Sequence, residues 1–182
     1  MAELLITPSQ TIGPFFKYGL QWPGGDTLFP ESVPGRRIRI SGIISDYQGA
    51  PVPDALIEFW QADASGRFGT ERDKASGGFG RVPTDAAGRY SISTIYPGAV
   101  AGADGKLQAP HILVVMFARG LLMQVVTRIY FDGEAGNRND PVLALCGARA
   151  STLIARRDVA GADAYTWNIS MQGADETVFF EA

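Results

Sequence analysis

The chain has 182 residues, a net charge of −3, and 46% hydrophobic against 19% charged residues. These values indicate one globular domain with a substantial core, and they exclude a basic surface that would attract nucleic acid or an anionic membrane. No apolar run approaches the roughly 20 residues that span a bilayer, the first residues lack a signal-peptide pattern, and the single cysteine, Cys146, cannot form an internal disulfide. We therefore expect a cytoplasmic protein.

Residues 1–35 are predicted to form an irregular N-terminal arm. Proline and glycine interrupt this segment repeatedly, and its apolar residues follow no sustained period. The segment is nonetheless too apolar for a free tail, so we expect it to lie on a surface, either that of its own domain or that of another subunit. The side chains that require this cover are Phe15, Phe16, Tyr18, Leu20, Trp22, Leu28 and Phe29.

From Arg36 onwards the pattern predicts β-strands. Apolar and polar residues alternate in four segments, as they do in strands with one buried face. Two further segments, 111–118 and 121–131, are almost wholly apolar and are predicted as central strands buried on both faces, joined by a hairpin turn at Arg119–Gly120. A short helix is predicted near 142–146. The four alternating segments are 37–40, 55–60, 90–94 and 165–171.

Two motifs indicate how these strands are joined. Ser41–Asp46 is followed by a turn and by Gly49–Ala55, and Thr84–Tyr90 precedes the Pro97–Gly98 turn. Aspartate and glycine supply tight turns, and proline ends strand pairing. The pattern resembles the transthyretin-like (prealbumin-like) sandwich, which implies a fold and no particular function. We therefore expect an all-β, antiparallel β-sandwich over residues 36–182.

Further segments resemble one family that uses this sandwich. Glu58–Phe68 resembles the tryptophan segment of the intradiol ring-cleavage dioxygenases, Gly78–Arg81 their next loop, and Pro110–Leu113 their histidine strand. The arm segment 7–15 and the ending 172–180 also match members of this family. The resemblance extends from about residue 4 to the C-terminus.

The resemblance implies a metal site, but this chain departs from it at most ligand positions. Catalytic members hold ferric iron with two tyrosinates and two histidines. The tyrosine positions fall on Phe68 and near Val100, and the histidine positions fall on His111 and Leu113. An arginine that stabilises charge on the substrate ring in catalytic members is Gln108 here. We therefore expect these to be vestigial positions, with His111 as a structural histidine and no metal bound by this chain.

The resemblance also implies a role for a chain without iron. It would be one subunit of a hetero-oligomer whose partner, the beta subunit, holds Fe3+ and cleaves protocatechuate (3,4-dihydroxybenzoate) with O2 to 3-carboxy-cis,cis-muconate. The arm and one loop of this chain would complete the walls of that site, since a guanidinium attracts the substrate carboxylate. The wall residues carried over by motif are Thr11, Gly13, Pro14, Phe15 and Arg119. The alternative to a wall role for Arg119 is that it is a solvated arginine at a hairpin tip.

Two other functions remain open from the sequence. The chain could be a transthyretin-like binding or structural module without a catalytic partner, in which case the arm should be sensitive to protease whether or not a partner is present. It could instead be an autonomous enzyme that uses His111, its only histidine, as a general base. Separately, Arg128 lies in an apolar strand and is predicted to pair with a carboxylate.

Overall fold

The computed structural model describes residues 10–69, 77–158 and 163–181. Most of the regular structure in these ranges is β, and no helix in them is long and apolar enough to cross a membrane. The elements are α1 (Phe16–Leu20), β1 (Arg37–Ser45), β2 (Leu56–Gln61), β3 (Phe79–Pro83), β4 (Arg89–Ile95), β5 (Val100–Ala101), β6 (Leu107–Gln108), β7 (His111–Phe117), β8 (Val125–Phe131), a 3-10 helix (Ala135–Asn139), α2 (Pro141–Cys146), a second 3-10 helix (Gly147–Leu153), β9 (Ile154–Arg157), β10 (Ala164–Thr166) and β11 (Ile169–Ser170).

Nine of the strands form one sheet that is nearly closed into a barrel. From one end to the other, the order is β4, β1, β10 with β11, β9, β8, β7, β2 and β3. The expected purely antiparallel arrangement is wrong, because β1 pairs in parallel with β10 and β11, and β8 pairs in parallel with β9. The helical segment between β8 and β9 is a crossover connection, which parallel pairing needs and a hairpin cannot provide.

The end of the arm fills the gap between the two ends of this sheet. Leu28 donates its backbone N–H to Ser93 on β4 (3.0 Å) and accepts at its carbonyl from Gly78 beside β3 (2.7 Å). Arg81 on β3 donates to Gly25, and Ser93 donates to Asp26. Leu28 and Phe29 are 1% exposed and belong to the main core. The last third of the arm is therefore part of the chain's own fold.

The alternating segments form strands as predicted, and their apolar faces build the core. On β1, Ile38 and Ile40 are buried between exposed arginines. On β7, Ile112 and Val114 face the core, whereas Leu113 and Val115 lie on the outer face and are only partly buried. The prediction that this segment is buried on both faces is therefore wrong for the isolated chain. The hydrophobic effect fixes the register, since a slip of one residue would expose the buried set.

The segment 165–171 is not one strand, although its alternation was predicted correctly. β10 and β11 follow β1 in the same register, but the pairing is interrupted where Gly42 faces Trp167. There the side chain of Asn168 accepts the N–H of Ile43 (3.0 Å) in place of a backbone carbonyl. A Cβ at Gly42 would lie 1.7 Å from the carbonyl oxygen of Trp167, so only glycine permits this approach.

The predicted two-residue hairpin at Arg119–Gly120 is also wrong. β7 ends at Phe117 and β8 begins at Val125, so seven residues connect them. A turn does occur, with Leu121 donating to Ala118 and Gly120 at φ +91°. Leu121 accepts a backbone hydrogen bond from the arm at Ile12, and Arg119 forms an ion pair with Asp54 in the turn before β2. We call residues 118–124 the β7–β8 loop.

The predicted helix near 142–146 is confirmed as α2, which begins after a buried capping residue. Asp140, 1% exposed, accepts the backbone N–H groups of Val142 (2.9 Å) and Leu143 (2.8 Å). Proline at the first helical position has no N–H to lose there, so Pro141 is compatible with this start. Leu143 packs with Ala109 and Tyr130 in a second, smaller core beside β7 and β8.

Candidate functional site

The structure brings the vestigial positions together on the outer face of β7 and its neighbours. Leu113 lies between Trp60 on β2 and Arg128 on β8, and Phe68 stacks on Trp60 with ring centroids 6.3 Å apart. Val100 pairs with Gln108 in the small β5–β6 ribbon, and Gln108 accepts a hydrogen bond from Nη1 of Arg128 (2.9 Å). His111 lies two residues from Leu113 on the same face. These residues form the vestigial cluster, defined as Phe68, Val100, Gln108, His111 and Leu113.

His111 is held in this cluster as a neutral imidazole. Its Nδ1 donates to the carbonyl of Ala109 (2.8 Å), since a carbonyl can only accept, and Nε2 therefore carries the lone pair. Burial lowers the pKa of His111, and the nearby Arg128 lowers it further, against the opposing effects of the Ala109 hydrogen bond and of Asp140. The ring is 7% exposed and lies 5.6 Å from that of Tyr130. Nδ1 is thus hydrogen-bonded and the ring is packed, as expected of a histidine with a structural role.

Among the described residues, Arg128 has no direct carboxylate partner, although such a pair was predicted. Its Nη1 donates to the amide oxygen of Gln108 and to the hydroxyl of Tyr130 (3.3 Å), which are both neutral. Tyr130 in turn donates to Asp140 (3.1 Å). Burial raises the pKa of Tyr130, so this hydroxyl stays protonated and is not a tyrosinate. Arg128 is thus connected to the Asp140 carboxylate through the Tyr130 hydroxyl.

The donors of the vestigial cluster do not fit ferric iron. Only Nε2 of His111 offers a nitrogen lone pair, because Phe68, Val100 and Leu113 carry hydrocarbon side chains. A trivalent cation is stabilised by anionic oxygens, and an intradiol-type site needs more than one imidazole. The guanidinium of Arg128 adds a positive charge to the same face. The chemistry that these residues support is packing and hydrogen bonding.

The predicted wall residues lie along the exposed start of the arm and in the β7–β8 loop. Thr11, Gly13, Pro14 and Phe15 are exposed, and the Phe15 side chain is 79% exposed. The arm and the loop are joined directly, since the backbone N–H of Ile12 donates to the carbonyl of Leu121 (3.0 Å). Leu121 is two residues from Arg119, so the two groups of wall residues share one region of the surface.

Three further contacts fix this region. Nζ of Lys17 donates to the carbonyl of Pro53 (2.8 Å), and the Phe16 ring packs against Phe117 with centroids 5.0 Å apart. Nε of Arg119 lies 3.0 Å from Oδ2 of Asp54, in the turn before β2, while the Arg119 side chain remains 60% exposed. Arg119 is therefore solvent-exposed, as in the alternative interpretation, and also held by an ion pair.

The same region exposes more apolar surface than its sequence pattern suggested. Tyr18 is 67% exposed, and Leu122 and Met123, in the β7–β8 loop, are 59% and 67% exposed. The apolar pattern predicts Leu122 and Met123 in a buried strand, and it does not identify Asp54. No local signal marks Asp54, because its partner lies 65 positions away in the chain.

Comparisons with known proteins agree with this geometry. Residues 15–173 match the dioxygenase family model Dioxygenase_C. The chain is 44% identical to the protocatechuate 3,4-dioxygenase alpha chain of Burkholderia cepacia, with 100% of both chains covered. It is 32% identical to the beta chain of the same organism's enzyme, over 79% of this chain and 67% of the other.

A solved structure supports the same assignment. The dioxygenase domain of a dioxygenase–carbohydrate-binding fusion from Streptomyces sp. SirexAA-E superposes with a TM-score of 0.68 at 30% identity, covering 92% of this chain and 99% of that domain. The chain therefore belongs to the intradiol dioxygenase family, as a relative of its protocatechuate 3,4-dioxygenase alpha chains.

Proposed function

We propose that this chain is the alpha subunit of a cytoplasmic protocatechuate 3,4-dioxygenase and forms alpha–beta pairs with a catalytic beta subunit. The beta subunit would hold Fe3+, at which protocatechuate is cleaved with O2 to 3-carboxy-cis,cis-muconate. The observation that carries the proposal is a contrast between two regions of this chain. The vestigial cluster has lost its ligand chemistry, whereas the arm and the β7–β8 loop present exposed side chains on a fixed frame.

The exposed apolar side chains in this second region support a protein partner. Phe15, Tyr18, Leu122 and Met123 are each more than half exposed in the isolated chain. Apolar groups gathered at one place on a surface are favourably removed from water by an interface. A beta subunit placed here would cover them and would bring its site next to the wall residues. In this proposal the arm, residues 1–35, contacts the partner, and residues 36–182 form the sandwich.

Within the shared site, the role of this chain is to bind and orient the substrate. Protocatechuate carries a carboxylate opposite its two hydroxyl groups, and the Arg119 guanidinium attracts it by charge-assisted hydrogen bonds. Thr11, Gly13, Pro14 and Phe15 would form the wall against the flat ring and exclude water. The iron supplies the oxidative chemistry when it is bound in the partner. His111 takes no part in this site in our proposal, because its imidazole is buried and hydrogen-bonded within its own cluster.

The alternative is a transthyretin-like module without a catalytic partner. It is disfavoured by the full-length match to an alpha chain, and by an arm whose exposed start is held against the β7–β8 loop. Under this alternative, limited proteolysis would cut the arm at the same rate with and without a beta-type chain. Under our proposal, the beta subunit protects the region around Phe15.

The proposal is tested by iron content and oxygen uptake with protocatechuate, for this chain alone and co-expressed with the beta-type chain of its host. We expect iron and activity only in the co-expressed complex. In that complex, Arg119→Ala should raise KM for protocatechuate about tenfold, the value of one charge-assisted hydrogen bond. Arg149→Ala is the matched control, since Arg149 is similarly exposed and pairs with Glu176 elsewhere. Stoichiometric iron and turnover in this chain alone would show that the assignment of vestigial positions is wrong.

A further inference from the structure

Asp54 is a nearly buried carboxylate with an unusual set of contacts. It lies in the turn before β2, and its side chain is only 10% exposed. Oδ2 receives no hydrogen bond within the part of the chain that the structure describes. Its charged neighbour is Nε of Arg119 at 3.0 Å, whose N–H is not directed well enough at Oδ2 to form a hydrogen bond. The contact is therefore an ion pair with one buried and one exposed member.

Stability alone does not explain this pair. Burying a carboxylate away from hydrogen-bond donors is unfavourable, and an ion pair to a largely solvated arginine returns little free energy. A neutral or apolar side chain in the same place would avoid that cost. The position of the contact on Arg119 is more informative, because it determines which part of the guanidinium remains available.

The pair occupies Nε and leaves the Nη1–Nη2 edge of Arg119 without a hydrogen-bond partner among the described residues. A guanidinium recognises a carboxylate best through two parallel N–H groups, and the Nη1–Nη2 edge is one such pair. Arg119 is 60% exposed, so this edge is accessible from outside the chain. We propose that Asp54 is a positioning residue that holds Arg119 by Nε and reserves its Nη1–Nη2 edge for the carboxylate of the aromatic substrate in the partner's site.

The surrounding contacts give Asp54 a fixed place from which to act. Nζ of Lys17, on the arm, donates to the carbonyl of Pro53, directly before Asp54 (2.8 Å). The arm also donates from Ile12 to Leu121 in the β7–β8 loop (3.0 Å). The turn before β2, the arm and the β7–β8 loop therefore constrain one another. Asp54 connects this frame to Arg119, whose charged side chain is 60% exposed.

This inference rests on the proposed function, and it is tested in the alpha–beta complex with Asp54→Asn, which keeps the shape and removes the charge. We expect KM for protocatechuate to rise about fivefold to tenfold with kcat changed by less than about twofold, because binding of the carboxylate weakens while the chemistry is untouched. With catechol, which has no carboxylate, the variant and the parent should have equal kinetics. Asp104→Asn, at an exposed ion pair with Lys106, is the matched control.

Two further variants separate positioning from folding. Adding Asp54→Asn to Arg119→Ala should raise KM no further than Arg119→Ala alone, since both act through one guanidinium. Arg119→Lys keeps the charge but has no planar edge, and it should raise KM for protocatechuate about as much as Asp54→Asn. This variant keeps the test decisive even if a change at Asp54 prevents folding.

The outcomes distinguish the inference from the proposed function. If Arg119→Ala leaves KM for protocatechuate unchanged, the wall role of this chain fails, and the role of Asp54 fails with it. If Arg119→Ala raises KM but Asp54→Asn does not, or Arg119→Lys behaves as the parent, only the positioning role is wrong. A fall in kcat that is equal for protocatechuate and catechol, together with a lower Tm, would show that Asp54 is merely structural.

Discussion

His111, at a position where the family resemblance predicts a ligand, has the contacts of a packed, hydrogen-bonded histidine. Its Nδ1 is committed to Ala109, and its ring is buried against Tyr130 and near the Arg128 guanidinium. Burial and the Arg128 guanidinium favour the neutral imidazole, whereas the Ala109 hydrogen bond and Asp140 favour the protonated form. The net effect is a lowered pKa. We therefore expect the stability of this fold to depend on pH through this histidine.

We expect acid to destabilise the chain through His111. Because burial lowers its pKa in the folded state below the ordinary value of 6.5, the unfolded chain binds more protons between the two values. Stability is therefore lost as the pH falls from above about 6.5 through the folded pKa. The measurement is Tm between pH 7.5 and 5.5 for the parent and for His111→Asn, which should show the smaller decline. Parallel pH profiles would contradict this prediction.

Single residues also show what the sequence can and cannot predict about the site. Phe68 and Leu113 are informative without coordinates, because a hydrocarbon side chain cannot serve as a metal ligand. Asp54 and the Gln108–Arg128 hydrogen bond are not predictable in this way, since their partners are distant in sequence and specified only by the pairing of strands. A motif thus shows which ligand side chains are absent from a site. The contacts that the residues there make instead can be seen only in the folded structure.

At the scale of elements, α2 is joined to the sheet through one carboxylate. Oδ1 of Asp140 caps the helix at Val142 and Leu143 and accepts from the Tyr130 hydroxyl (3.1 Å), while Oδ2 accepts from the N–H of Ala109 (2.7 Å). Ala109 is the residue to which His111 donates. The vestigial cluster, β8 and α2 therefore share one buried network.

Replacing Asp140 by alanine should destabilise the protein strongly. The change removes the helix cap, which contributes about 1 kcal/mol, and leaves two buried donors unsatisfied at about 1 to 3 kcal/mol each. We expect a total loss of about 3 kcal/mol or more in the free energy of unfolding, measured by denaturant titration. Asp85→Ala removes a similar carboxylate from an exposed turn and should cost much less. Equal losses in the two variants would show that the network does not act as described.

Strands were predicted well where apolar and polar residues alternate. They were predicted poorly where their limits depend on pairing between segments that are distant in sequence. β1, β2 and β4 follow from the period of two, and α2 was placed correctly. The second half of the β7–β8 loop, residues 121–124, was predicted as strand because Leu121, Leu122 and Met123 are apolar. Leu121 is partly buried against the main core, and in our proposal Leu122 and Met123 contact a partner. Sequence periodicity does not distinguish a core from an interface.

At the scale of the whole molecule, the arm has two parts with different roles. Residues around Leu28 and Phe29 are buried in the seam between β3 and β4, whereas Thr11 to Phe15 are exposed. The sequence left open whether the arm packs on its own domain or on another subunit. In the structure the later part packs on its own domain, and we propose that the earlier part meets the partner.

Two truncations should separate these parts. Removing residues 1–15 should leave Tm of the isolated chain within a few degrees of the parent but raise KM for protocatechuate in the complex, since it deletes the exposed wall residues Thr11, Gly13, Pro14 and Phe15. Removing residues 1–29 should prevent stable folding, because losing Leu28 and Phe29 alone would cost about 5 kcal/mol or more, a large part of the stability of an ordinary domain. A stable, folded product of the longer truncation would show that the seam segment is dispensable.

The seam segment has a consequence for how the chain is made. Gly25 to Leu28 leave the ribosome early, yet the strands that clamp them, β3 and β4, are synthesised more than 50 residues later. The clamp is a contact of long sequence separation and cannot form before β4 has been synthesised. The start of the arm needs still later residues, because Ile12 donates to Leu121 in the β7–β8 loop. In our proposal, a partner that contacts both the arm and this loop therefore binds only chains that have folded this far.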